Sequence, residues 1–85
     1  MERAAEPLIV DATGHRCPIP SLRLRRAIER TGGDRPIVLW ADDPMARIDV
    51  PHLLNEMGWA LVEVTEDGGR LSFRAEPRQP GSVTA

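Results

Sequence analysis

The apolar and polar positions divide the chain into six short elements. "PLIVDA" at 7–12 is an apolar run rich in β-branched residues, and the "TGHR" that follows carries a glycine able to turn the chain, so a strand and a loop are predicted. From Pro18 to about Thr31 the period changes. At about 100° per residue, Pro20, Leu24, Ala27, Ile28 and Thr31 fall on one stripe, and "GGD" stops the helix. "RPIVLWA" at 35–41 predicts a second strand, closed by "DDP" at 42–44, a helix-start signal. Ala46, Val50, Leu53, Leu54 and Met57 then share a second helical stripe. Pro51 would remove a mid-helix hydrogen bond from a helix continuous from Pro44. A turn is therefore predicted over 44–48, with Asp49 as N-cap and Pro51 inside the first helical turn. Gly58 suits the position after a helix end, and "WALVEVTE" at 59–66 returns to strand content. "EDGGR" reads as a hairpin turn in which Asp-Gly supplies the positive φ angles, and "LSFRAE" at 71–76 alternates apolar and polar residues as a last strand.

The order is β-α-β-α-β-β. Two narrow helical stripes can cover one face of a four-stranded mixed sheet, which predicts an α/β (α+β) two-layer sandwich with both helices on the same face. The expected organisation is a flexible N-terminus over 1–6, one domain over 7–76 and a mobile tail, "PRQPGSVTA", over 77–85. A length of 85 residues suits one domain and not two. Aromatics make up only 4 % and Tyr is absent, so the core must be aliphatic. A net charge of -2 gives no general attraction to nucleic acid or to a membrane surface, and neither is expected as a partner. No run approaches the roughly 20 apolar residues of a membrane span, and "MERAAEPLIV" lacks the features of a secretory signal, which predicts a cytoplasmic protein.

The one cysteine, Cys17, cannot form an intramolecular disulfide. If the helix starts at Pro18, Cys17 is its N-cap, facing the unpaired amides of the first turn. Pro18 and Pro20 have no N–H, so Ile19 and Ser21 are left as the backbone donors, in a turn preset by two proline rings. A helix N-terminus favours an anion by roughly 0.3–1 kcal/mol when exposed, and Arg16 and His15 precede the sulfur directly. These features favour the thiolate, which is the nucleophilic form, and would stabilise a persulfide anion equally. Most free cysteines are small buried hydrophobes. Here the neighbours are Arg16 and a helix-starting proline instead of an apolar run, which favours a reactive thiol. With no second cysteine a self-contained disulfide cycle is excluded. His15 points to the other face of an extended loop and His52 sits on the second helix, so both are read as solvated side chains. One Cys and two His show no zinc-ligand spacing, and no metal is expected. What is left is a thiol that works between molecules.

"VDATGHRCPIP" resembles the Asp-x-x-Gly-x-x-Cys-Pro-x-Pro signature of the TusA/SirA family of small sulfur-carrier proteins, with Asp11, Gly14, Cys17, Pro18 and Pro20 in register. "ADDPMARIDVP" resembles a second family segment through Asp43, Pro44, Asp49 and Pro51, and the similarity runs over 8–76. The resemblance implies the two-layer sandwich derived above. It also implies that Cys17 carries sulfane sulfur as a persulfide, with no other cofactor. The sulfur would come from a cysteine desulfurase or rhodanese-like donor and pass to an acceptor protein's cysteine, which is a sulfurtransferase activity. Tolerated destinations are tRNA thiolation, molybdenum-cofactor assembly and sulfur oxidation. The match is loose at Ile19, where family members often carry Glu.

Arg23, Arg25, Arg26 and Arg30 lie outside the buried stripe together with Ile19 and Leu22, and Glu29 is the one acid in this stretch. Arg16, Ile19, Leu22, Arg23 and Arg26 are accordingly expected to dock protein partners. Trp40 and Trp59 are read as packing residues at the sheet margin. Nothing calls for an obligate dimer, and a monomer is expected. Two other functions stay open: a non-catalytic regulatory or adaptor domain that binds through the same face, and a thiol peroxidase using an external reductant.

Overall fold

The computed structural model describes residues 6–16, 18–33 and 35–77. The termini expected to be flexible, apart from Glu6 and Pro77, lie outside the described residues, and so does Cys17. The elements are β1 (Leu8–Asp11), α1 (Ile19–Thr31), β2 (Ile37–Ala41), α2 (Ala46–Glu56), β3 (Trp59–Asp67) and β4 (Arg70–Pro77). They form a mixed four-stranded sheet in the order β1-β2-β4-β3. β1 runs parallel to β2, and β4 lies antiparallel to both β2 and β3. One face of the sheet packs against the two helices, as the α+β sandwich requires.

The core follows the two predicted periods. Pro20, Leu24, Ala27 and Ile28 of α1 and Ala46, Val50, Leu53 and Leu54 of α2 are buried. They meet the alternate inward positions Ile37, Leu39 and Ala41 of β2 and Leu71, Phe73 and Ala75 of β4. Phe73, 1 % exposed, is the one large aromatic side chain at the centre of this layer, and aliphatic residues fill the rest.

Several local features differ from expectation. α1 begins at Ile19, with Pro18 as its N-cap at φ -94° and ψ 14°, so Cys17 is not the capping residue. The reason is a tight turn: the Ile19 amide donates to the Arg16 carbonyl at 2.9 Å before regular helical bonding starts with Leu22 N–H to the Pro18 carbonyl. α2 is continuous from Ala46, its N-cap is Met45, and Asp49 belongs to its first turn instead of preceding it. Pro51 is accommodated inside. The start of α2 is tightened by bonds from Ala46, Arg47 and Ile48 to the carbonyls three residues earlier. The carbonyl that Pro51 deprives of a donor belongs to Arg47, an exposed residue.

In the hairpin, Gly68 and Gly69 carry the positive φ angles, 61° and 87°, and Asp67 pairs with Arg70 at the end of the ladder. The turn is thus Gly-Gly and not Asp-Gly, because a pair of glycines tolerates both left-handed positions without a Cβ penalty. Trp59 is buried at the start of edge strand β3. Trp40 instead stands on inner strand β2, on the helix-free face, where the Arg70 guanidinium lies 4.3 Å from its ring centre.

Candidate functional site

The two parallel strands β1 and β2 deliver their following loops to the same end of the sheet, and α1 and α2 both start there. Three contacts set the first loop. Asp11, the last residue of β1, accepts hydrogen bonds at Oδ1 from the Thr13 amide at 3.1 Å and the Thr13 hydroxyl at 2.7 Å. These two bonds hold its carboxyl below the usual carboxylate range, with Arg70 and Arg23 adding to the effect and desolvation opposing it. Gly14 follows at φ 85°, a conformation that disfavours any residue with a Cβ. Its amide donates to both carboxylate oxygens of Asp42, at 3.1 and 3.0 Å. Asp42 belongs to the loop after β2, so this contact ties the two loops together across the sheet end.

Beyond Gly14 the chain passes half-buried His15 and exposed Arg16 to exposed Pro18. Gly14, His15 and Arg16 face Asp42, Asp43 and Pro44 across an open groove of about 470 Å³. Cys17 follows this wall in sequence, and its own placement is outside the described residues. Of the two amides expected to serve the sulfur, the one on Ile19 is engaged by the Arg16 carbonyl. Ser21 is the third residue of α1, and its hydroxyl is buried with no hydrogen-bond partner.

The second loop is built differently. The Asp43 carboxylate accepts the Met45 amide at 3.0 Å, and the Asp43 carbonyl accepts the Ala46 amide at 2.9 Å. With Asp49 in its first turn, α2 carries its own negative charge at its positive end. α1 has no side-chain cap and no acid in its first turn.

The expected docking residues fall into place unevenly. Ile19 and Leu22, 40 % and 56 % exposed, flank a groove of about 360 Å³ with Arg23, Arg25 and Arg26. Arg25 reaches toward Glu56 of α2 at 4.0 Å, an exposed and loose pair that adds little stability. Arg30 stands at the far end of α1, away from the loop, beside β1. Arg16 sits on the loop side with His15. His52 is exposed on α2 with Nε2 3.4 Å from Glu56.

Asp42, Met45 and Ile48 belong to the site, although the sequence reading did not assign them individually. Met45 and Ile48 are large apolar side chains left 48 % and 63 % exposed at the start of α2, on the same sheet end as Ile19 and Leu22. Ile48 could have been found from its position off the buried stripe. Asp42 could not, since its partner is 28 residues away.

Residues 8–76 match the family described as sulfurtransferase TusA. A candidate sulfur carrier protein of Archaeoglobus fulgidus is 43% identical over 61 residues, covering 69% of this chain and 79% of its own. The sulfur carrier protein TusA of Pseudomonas putida is 34% identical over 65 residues, covering 76% of this chain and 81% of its own. The crystal structure of a SirA-like protein from Desulfitobacterium hafniense superposes with a TM-score of 0.73, covering 80% of this chain and 93% of its own. At 24% identity that likeness speaks for the fold.

Proposed function

The chain belongs to the TusA family, and from that membership we propose that it is a sulfur carrier that holds sulfane sulfur as a persulfide on Cys17 and relays it between proteins. The observation that carries this reading is the family match over 8–76, which spans the only cysteine of the chain. The chemistry is a pair of balanced displacements. The Cys17 thiolate attacks the outer sulfur of a donor persulfide, forming a new S–S bond at Cys17 while the donor's S–S bond breaks and its thiolate departs. An acceptor thiolate then attacks the outer sulfur on Cys17 in the same way and returns the Cys17 thiolate. Negative charge is conserved at each step, and there is no net oxidation.

The surroundings support an anion at this end of α1. Arg16 precedes position 17, and the helix start has no acid of its own. With the Ile19 amide taken up, the Ser21 hydroxyl, unpartnered in the described structure, and the Ser21 amide are the donors left at the helix start. Handover needs two thiols to meet, so the partner must seat on the surrounding face. Ile19 and Leu22 with Arg23 and Arg26 supply an apolar and basic contact on one side, and Met45 and Ile48 extend it on the other. The donor is a cysteine desulfurase or rhodanese-like protein, and the acceptor is a protein with a reactive cysteine. The carrier works as a monomer in the cytoplasm, where thiols stay reduced. Among the described residues no helix is long and apolar enough to cross a membrane.

The test combines loading and delivery. Polysulfide, or a cysteine desulfurase with cysteine, should add the mass of one or more sulfur atoms, reversibly by reductant. Cys17→Ser should fold and stay unloaded. Arg23→Glu with Arg26→Glu should keep loading by polysulfide but slow delivery between proteins, and rising salt should slow the unaltered carrier, as expected of exposed charges. Equal loading of the Ser variant would defeat the persulfide reading in favour of an adaptor.

A further inference from the structure

Among the described residues β1 is an edge strand, and no other strand covers its outer edge. Its Leu8 and Ala12 ends are tied to β2, where the amides donate to the Pro36 and Trp40 carbonyls at 2.9 and 2.8 Å. Because backbone groups alternate in direction along a strand, the amides and carbonyls of Ile9 and Asp11 are aimed off the free edge. α1 overhangs this edge. Arg23, Arg26 and Arg30, spaced three and four residues apart on one helical stripe, stand with the β1 backbone around an open groove of about 520 Å³ floored by Val10 and Ala27. None of the three arginines has an ion-pair partner among the described residues, whereas Arg25, Arg47 and Arg74 each have one.

A strand edge left open among the described residues, beside three arginines that make no salt bridge there, is chemically specific. We propose that the free edge of β1 takes up an extended acidic segment of a partner protein as a fifth strand, with its carboxylates set against Arg23, Arg26 and Arg30. Main-chain bonds to Ile9 and Asp11 supply the register, and charge supplies the selectivity. The spacings are compatible. The arginine Cα atoms rise by about 4.5 and 6 Å along the helix, and alternate residues of a strand repeat every ~6.6–6.8 Å, a mismatch that long arginine side chains absorb.

Charge also argues against the other occupants. Residues 78–85, "RQPGSVTA", contain no carboxylate side chain, and a second copy of the chain would bring its own arginines against these. The Asp11 carboxylate, occupied by Thr13, is the one negative side chain lining the groove. Arg23 and Arg26 are shared with the handover face of the proposed carrier, whereas Arg30 and the β1 edge lie outside it, and loading by polysulfide requires no strand addition.

The probe is a short blocked peptide in which Glu alternates with Val, titrated by fluorescence anisotropy and by amide NMR. Binding should saturate, and the Ile9 and Asp11 amide protons should move downfield and become protected from exchange. The same peptide N-methylated at alternate residues keeps its charge but loses its edge donors, and should bind at least about tenfold more weakly. A Gln-for-Glu peptide should weaken similarly. Arg30→Glu should weaken binding while leaving polysulfide loading intact, and so should Ile9→Pro, which removes an edge donor without touching the ladder to β2. Unchanged affinity for the N-methylated peptide, or for Arg30→Glu, would overturn the proposal. Binding that appears only after residues 78–85 are removed would assign the edge to the chain's own tail. A dimer through β1 that the peptide does not dissociate would assign it to a second copy.

Discussion

The two helices start side by side at one end of the sheet, and their first turns are opposites. α2 is closed on itself: the Asp43 carboxylate accepts the Met45 amide just ahead of the helix, Asp49 adds an acid within the first turn, and the opening bonds are tightened to span three residues. α1 has neither cap nor acid, and it is approached by Arg16 and led by Pro18 and Pro20. A helix end satisfied by its own carboxylates has little left for a ligand. One left positive can accommodate a charge that comes and goes. The fold thus places a helix start that carries its own acid beside one that carries none and ties their loops through Gly14 and Asp42.

The comparison breaks most strongly at the start of α2. Asp43→Ala removes the side-chain bond to the Met45 amide just ahead of α2 and should lower stability by about 1 kcal/mol, measured by urea unfolding. The same experiment on Pro18→Ala should show a smaller loss, because α1 draws no capping bond from its own N-cap side chain. Equal losses would mean that the two ends are not distinct.

Giving α1 the acid it lacks sharpens the contrast. Ile19→Glu puts a carboxylate in the first turn, worth about 0.3–1 kcal/mol to the helix. It should leave the fold as stable or more so. The Cys17 thiolate should become less favoured, with the alkylation midpoint moving to higher pH than in the unaltered protein. An unchanged midpoint would show that the α1 dipole does not reach the sulfur.

The smallest effect lies in the loop itself. Thr13→Val removes the 2.7 Å hydroxyl bond to Asp11 but keeps the amide bond, so the Asp11 carboxyl should titrate closer to the usual carboxylate range. The sign follows from linkage. A carboxyl lowered in the folded state contributes stability above its unfolded pKa, and that contribution is lost as pH falls through the lowered value. The variant should therefore show a slightly flatter acid limb, followed by carboxyl NMR titration.

Periodicity and punctuation alone determined the element order, the buried stripes of both helices apart from half-buried Thr31 and Met57, and the inward residues Leu71, Phe73 and Ala75 of β4, because a 3.6-residue or two-residue repeat is a local property of the chain. Gly58 after α2 and the glycine-bearing hairpin were legible for the same reason: positive φ is a demand that a single residue meets. The position of Cys17 ahead of two prolines was equally visible, and with it the candidate chemistry. Pro51 misled, since a proline tolerated inside a helix looks in sequence like one in a helix's first turn. The strand order β1-β2-β4-β3 was decided only by tertiary structure, and from it came everything that depends on neighbours. Asp42 reaches Gly14 because β1 and β2 are adjacent and parallel. Arg25 is drawn to Glu56 because the helices share a face, while Arg23, Arg26 and Arg30 stand over a free edge because β1 happens to be outermost. Pairing of distant segments is selected by the total burial of the whole sheet, a sum that no local window of residues contains.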